Sequence, residues 1–218
     1  MEPTPNLNRT VLAGTGFPAL PLVRRPGLPA LGDLSVQVLR SAADRLLIAP
    51  LRQYADCGSE YELDPGMAAL EKKKDALGMV MAILQDGEPI ATLRLIPSGH
   101  GVTLTERYWG HLAAGAGILG PDSWEVGRLV MAPENRRADL LPRCLALALA
   151  EFVEQAEPLQ FHASCLTRMT RLYRRFGFSM VGSSTSSGGK ECALIQARVH
   201  EVARALKVPG QHQLPVLQ

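Results

Sequence analysis

Apolar and polar positions along this chain switch between a period of two and a period near 3.6, so strands and helices follow one another. Leu34-Ser-Val-Gln-Val-Leu-Arg40 alternates and predicts a first strand. Ser41 stands where a helix N-cap belongs, ahead of a helix expected to run to about Cys57. Residues 58–75 are polar, with Pro65-Gly66 as a turn and Lys72-Lys73-Lys74-Asp75 as a charged exit read as a solvated face. Leu77 to Gln85 is a nearly unbroken apolar run and predicts a buried strand; Asp86-Gly87 predicts a tight hairpin turn, and Pro89 to Pro97 is the returning strand. A Gly-rich connection follows, with a helix expected from Thr105 to Ala114, then a strand over Trp124 to Met131 and a long helix over Ala138 to Gln155. Leu159 to Cys165 reads as a strand. In Arg168-Met-Thr-Arg-Leu-Tyr-Arg-Arg-Phe-Gly177, Leu172, Tyr173 and Phe176 mark one helical face and Gly177 supplies the left-handed residue that ends it. Ser179 to Val181 and Ala193 to Val199 are the last strands, and His200 to Lys207 closes with a helical turn or two. A hairpin followed by β-α-β-α-β is an α/β (α+β) order, a central mixed sheet flanked by helices.

Composition narrows the class. A chain of 218 residues with 46% hydrophobic and 20% charged positions can bury one substantial core. The expected domain spans 34–207, between a Pro-rich arm (1–33) and a short tail (208–218). A net charge of +2 names no nucleic-acid or membrane partner, and no apolar run approaches the length of a membrane span. The first residues carry no basic segment ahead of a continuous apolar one, so a secretory leader is not expected. Cys57, Cys144, Cys165 and Cys192 lack metal-binding spacing, which fits a reducing, cytoplasmic setting and no metal.

Charges inside apolar strands are the candidate chemistry, because a buried charge is costly unless paired. Arg94 sits in Thr92-Leu-Arg-Leu-Ile-Pro97, and Glu125 and Arg128 sit in Trp124-Glu-Val-Gly-Arg-Leu-Val130. Being three apart, Glu125 and Arg128 face opposite ways on a regular strand; Gly127 between them permits a bulge that would realign them.

The run Leu172-Tyr-Arg-Arg-Phe-Gly-Phe-Ser-Met-Val-Gly182 resembles the segment near the C-terminal end of the Gcn5-related N-acetyltransferase (GNAT) fold. That resemblance implies that Tyr173 lies beside a thioester sulfur, where it can protonate the leaving thiolate; a core tyrosine is the alternative. More narrowly, "LRLIPS" followed by "WEVGRLVMAP" is similar to the acyl-homoserine-lactone (autoinducer) synthases and the long-chain N-acyl amino acid synthases. The matching positions are Arg94, Glu125 and Arg128, together with Asp75 ahead of its strand; the resemblance implies that they shape the amine pocket and the acyl-transfer site. The aromatic-rich segment with a Trp that helps close autoinducer synthases is replaced by Leu51 to Asp64, so simple amide formation is expected rather than a lactone.

In Pro133-Glu-Asn-Arg-Arg-Ala-Asp-Leu-Leu-Pro142 the glycines that cradle a coenzyme A pyrophosphate in this fold are missing, and Asp139 sits where the anion would approach, unless it caps the helix. An acyl carrier protein avoids the difficulty, since its phosphopantetheine carries a single phosphate. Arg136, Arg137, Arg143, Arg168, Arg171, Arg174 and Arg175 are a candidate landing patch for that acidic partner, or ordinary solvated arginines. The expected reaction is therefore acyl transfer from an acyl carrier protein thioester (or acyl-CoA), as co-substrate and not as resident cofactor, to a small amine such as an amino acid. Glu125 is the first candidate base and Asp75 the second; Arg94 or Arg128 would hold a substrate carboxylate; a backbone N–H near Leu129, Val130 or Met131 would face the oxyanion; Arg136 and Arg137 would approach the pantetheine phosphate. His162 could be a base but reads first as a core histidine. The competing expectations are an acetyl-CoA-dependent N-acetyltransferase and a catalytically silent module of the same fold.

Overall fold

The computed structural model describes residues 34–208; the expected Pro-rich arm and all but the first residue of the expected tail lie outside them. Seven strands form one sheet: β1 (Leu34–Val38), β2 (Met79–Gln85), β3 (Glu88–Pro97), β4 (Ser123–Met131), β5 (Gln160–Leu166), β6 (Ser179–Thr185) and β7 (Glu191–Arg198), in the order β1-β2-β3-β4-β5-β7-β6. Neighbours are antiparallel except β4 and β5, whose parallel pairing requires a crossover between them. That crossover is the long helix, as the β-α-β pattern predicts. The hairpin falls where expected: Asp86 (φ 53°) and Gly87 (φ 87°) both take the left-handed conformation that a two-residue turn between twisted strands demands.

The helices are α1 (Ala49–Arg52), α2 (Gly58–Leu63), α3 (Glu71–Leu77), α4 (Leu104–Arg107), α5 (Gly110–Gly115), α6 (Leu140–Gln155), α7 (Thr170–Arg174) and α8 (Val199–Ala205). Strand period sorts the core onto two faces. Met81, Ile83, Leu93 and Leu95 point to α6 and α8, joining Leu140, Cys144, Leu149, Phe152, Val202 and Ala203. Val80 and Ala82 point the other way, to Leu39, Ile48 and Leu51. Further along that second face, Leu63, Met67, Leu104 and Trp109 form a separate cluster.

Three local expectations are corrected. The single helix from Ser41 to Cys57 is a 3-10 turn (Asp44–Ile48) followed by four-residue α1. The Ser41 hydroxyl accepts from the Asp44 N–H at 3.0 Å, but the N-cap of the turn is Ala43, without a side-chain cap, and Pro50 has no N–H to continue an α ladder. Residues 58–75 are not a polar connection: they form α2, a 3-10 turn (Pro65–Leu70) and α3, and Lys74 is fully buried rather than solvated. The helix expected over Thr105 to Ala114 is split into α4 and α5 at Trp109. At α7 the expectation holds. Gly177 (φ 89°) ends the turn, and a Cβ there would lie 3.1 Å from the Glu201 carbonyl, so the close approach of α8 also calls for glycine.

Candidate active site

Two irregularities open the sheet. β4 carries an extra residue against β3: Thr92 pairs with Val130 and Arg94 with Gly127, so one residue of β3 faces two of β4. The strained position is Arg128 itself (φ 51°), not Gly127. This bulge brings Glu125 and Arg128 to one face, while Trp124, Val126, Leu129 and Met131 all pack on the α6 side. The second irregularity is the short pairing of β4 with β5, from Ser123–Glu125 to Gln160–His162. Beyond it the strands diverge, and the edge of β4 from Val126 to Met131 faces a gap.

A cavity of about 720 Å³ runs through that gap. Its polar wall holds Glu60, Arg94, Glu125 and Arg128; Leu129, Val130, Met131 and Cys165 line the passage; its deep wall is apolar, with Leu145, Leu149, Phe152, Phe161, Phe176 and Val202. Arg136 and Arg137 stand at its rim and Tyr173 on its wall.

The polar wall is backed by a dense ionic box. Arg94, 2% exposed, donates to Asp75 at 2.7 Å and to Glu71 at 3.2 Å. Asp75 also accepts a two-pronged bond from Arg52, at 2.5 and 2.9 Å. Burial would raise the Asp75 carboxyl, but the two guanidinium groups outweigh it and hold its pKa below the usual range. Glu71 is shared between Arg94, Lys74 (3.3 Å) and Arg128 (2.8 Å). Arg128 also donates to Glu60 at 2.9 Å and to the Tyr61 hydroxyl at 3.2 Å, and Glu60 meets Lys74 at 2.6 Å. Burial would lower the Arg128 pKa, yet Glu60 and Glu71 more than offset it and the net shift is upward. Four cations (Arg52, Lys74, Arg94, Arg128) thus face three carboxylates (Glu60, Glu71, Asp75).

Glu125 is the next carboxylate, and its environment differs. It is 6% exposed and ion-pairs with none of those four cations; instead the N-terminal turn of α4 is aimed at it, with the Thr105 N–H and hydroxyl each at 2.9 Å and the Leu104 N–H at 3.4 Å. A capping box between Thr103 and Glu106 holds that turn in place. Burial raises the Glu125 pKa despite the Thr105 bonds and nearby Lys74. Thr105 links it in turn to His162, fully buried, whose pKa burial pushes down to about 4.

Tyr173 lies against Phe178, ring centroids 6.1 Å apart. Burial, with Cys165 nearby, pushes its phenol up to about 12. At the rim, Arg136 folds back to donate to the Met131 carbonyl at 3.1 Å, and Arg137 pairs with Asp139 at 2.9 Å. The Asp139 side chain makes no capping bond to α6, so the helix-cap alternative is corrected in favour of an exposed ion pair. Among the described residues no His, Cys, Asp or Glu group is arranged to hold a metal, and no helix is long and apolar enough to cross a membrane.

Thus Arg94, Glu125, Arg128 and Asp75 fall together, and Tyr173 and the Leu129–Met131 edge lie on the same cavity. Glu60, Glu71, Lys74, Tyr61 and Thr105 complete the site without having been singled out. Their signal was weak: one lysine of three turned inward, and carboxylates scattered through a polar stretch.

No protein-family model matches the sequence, and no curated protein matches it. Solved structures do. FeeM, an N-acyl amino acid synthase from uncultured soil microbes, superposes with a TM-score of 0.60 over 79% of this chain and 94% of its own, at 14% identity. The AHL synthase LasI gives 0.54 over 79% and 94%, at 18% identity. BjaI, a CoA-dependent acyl-homoserine lactone synthase, gives 0.52 over 81% and 90%, at 14% identity. The chain thus has a GNAT-like fold, a mixed sheet flanked by helices. At such identities the likeness speaks for the GNAT fold, and the chemistry has to be argued from the residues.

Proposed function

We propose that this chain is an N-acyltransferase that moves a fatty acyl group from a thioester, carried by an acyl carrier protein, to the amine of an amino acid or a related small amine. The observation that carries this reading is the continuity of one cavity from the charged wall, through the β4–β5 gap, to a deep apolar wall. A volume of about 720 Å³ suits a chain of many carbons and far exceeds what an acetyl group occupies.

An ammonium has no lone pair, so the amine must lose a proton before it attacks the thioester carbonyl. Glu125 borders the cavity and is the candidate base, since burial raises its pKa and so favours proton uptake, whereas two arginines keep Asp75 ionised. Asp75 and Arg94 then serve as the anchor that fixes Glu71 and, through it, Arg128. Arg128 and Glu60 border the cavity and offer a guanidinium and a carboxylate to the two ends of an amino-acid substrate. The free edge of β4 at Leu129–Met131 is where the thioester would lie and its oxyanion find a backbone donor. Tyr173, protonated at neutral pH, can hydrogen-bond the departing sulfur. The donor would dock over Arg168, Arg171, Arg174 and Arg175, all exposed on or beside α7, as an acidic carrier requires. The Arg137–Asp139 pair at the start of α6 disfavours a pyrophosphate there and so supports a carrier protein over coenzyme A.

The test is intact mass spectrometry of lipids extracted from cells expressing the protein or its Glu125→Gln variant. New N-acyl amines present with the first and missing with the second are expected, and their masses name the amine and the chain length. Absence of any new species in both would sink the proposal and return weight to acetyl transfer or to a silent module, which coenzyme A binding would then separate.

A further inference from the structure

Behind Glu125, three side chains that do not line the cavity stand in series. The Thr105 Oγ1 lies 2.9 Å from Glu125 Oε2, the His162 Nδ1 lies 2.8 Å from Thr105 Oγ1, and the Ser98 Oγ lies 2.9 Å from His162 Nε2. Thr105 and His162 are fully buried. Ser98, at the far end, is 8% exposed and is followed directly by Gly99, His100 and Gly101, all exposed. The series therefore leads from the candidate base to the protein surface by a route separate from the cavity. Both ring nitrogens of His162 are taken by hydroxyls rather than by backbone carbonyls. Each of the three groups can donate on one side and accept on the other.

That property allows two self-consistent arrangements. With Glu125 ionised, every donor points inward: the Ser98 hydroxyl to Nε2, the Nδ1–H to Thr105, the Thr105 hydroxyl to the carboxylate. With Glu125 protonated, every donor points outward and the imidazole proton sits on Nε2. The ring is neutral in both, in keeping with a pKa pushed down to about 4 by burial. The charged groups facing His162 are Glu125, 4.0 Å from Nδ1, and Glu106, whose carboxylate is already engaged by the N–H groups of Gly99, Gly101, Val102 and Thr103.

We infer that Thr105, His162 and Ser98 form a proton relay that connects Glu125 to solvent while substrates fill the cavity. The inference rests on Glu125 acting as the base. Converting an ammonium and a thioester into an amide and a thiol removes two protons from nitrogen; one ends on sulfur and the other must leave. Glu125 passes that proton to Thr105 Oγ1, the Thr105 proton goes to His162 Nδ1, the Nε2 proton goes to Ser98 Oγ, and the Ser98 proton goes to water. The series starts in the outward arrangement and ends in the inward one, with each group's proton count unchanged and Glu125 again a carboxylate; a turn of the His162 ring and of the two hydroxyls restores the outward arrangement for the next cycle.

The direct test needs no substrate. The full chain is labelled with ¹⁵N-histidine, and the ring signals are followed between about pH 5 and 9, with His162→Gln used for assignment. The His162 proton is expected to move from Nε2 at the acid end to Nδ1 at the alkaline end with the ring neutral throughout, and Glu125→Gln should abolish that response. A single tautomer across the range, or a change that survives Glu125→Gln, overturns the relay. The kinetic test compares Thr105→Val with Thr105→Ser, both of which keep the backbone bond to Glu125. The valine variant is expected to lose about 10-fold in turnover with an altered pH profile, and the serine variant to restore both. Equal turnover and pH profile in the two variants would overturn the relay. Acyl transfer in cells without a tautomer change refutes the relay alone; a tautomer change without any acyl transfer refutes the proposed activity alone.

Discussion

The two faces of the sheet are built on opposite principles. Under α6 and α8 the sheet buries Leu, Ile, Met and Phe side chains, and Phe152 is fully enclosed between Trp124 and Phe161. Attraction there is non-directional and roughly proportional to the apolar area removed from water, so each residue contributes on its own account. Under α1 to α4 the same sheet buries Lys74, Arg94 and Glu125. Stability on that face depends on matching, since every charge except Glu125 relies on partners that are themselves shared. Glu71 alone serves Lys74, Arg94 and Arg128. The apolar face can lose a residue and remain a core. The ionic box of Glu60, Glu71, Asp75, Lys74, Arg94 and Arg128 cannot lose a member without leaving another uncompensated.

The sharpest separation is expected at Glu125. Glu125→Gln should lower turnover by about 100-fold or more, while a urea titration shows stability unchanged or slightly raised, because the amide removes a buried charge. Phe152→Ala should do the reverse, costing about 4 kcal/mol of stability by cavity formation, read by the same titration. Glu71→Ala should cost about 3 kcal/mol. In a double-mutant cycle its effect should be far from additive with that of Arg128→Ala; additive losses would show that the box is a set of independent pairs.

A smaller effect should appear with pH. The folded-state pKa of His162 is depressed to about 4 from 6.5. The unfolded chain therefore binds a proton first as pH falls, and the cost of keeping the ring neutral grows from about pH 6.5 down to about 4. Stability should fall through that window by up to about 3 kcal/mol, and His162→Gln should flatten the slope. Glu125, whose folded pKa is raised, works the other way: its contribution weakens as pH rises above its unfolded value, so the two slopes must be separated by single variants. The smallest change is Gly177→Ala, expected to cost about 1 kcal/mol through its positive φ and the contact with Glu201, with the charged face undisturbed.

Much of the sheet was legible because strand patterns are local. The β2–β3 hairpin could be read from Asp86-Gly87, and the α7 stop from Gly177. The split of α4 from α5 and the breaking of the first helix were missed, since periodicity does not register where a proline or a change of direction interrupts it. The charged strand residues could be picked out as anomalies, so Arg94, Glu125 and Arg128 were legible as a group. Their partners were not: Glu60 and Glu71 lie 34 and 23 residues before Arg94 in a polar stretch that resembles a connection.

The sequence by itself determined the order of the strands and of α6, the hairpin, the helix stop and the strand charges Arg94, Glu125 and Arg128, all of which depend on neighbours within a few residues. Tertiary structure alone decided that the extra residue of β4 sits at Arg128, that β4 and β5 part after three residue pairs, and that Lys74 turns inward while Thr105 and His162 line up behind Glu125. Those outcomes depend on contacts between segments far apart in the chain. No local pattern encodes them, because the partner that satisfies a buried charge is chosen only when the chain has closed around it.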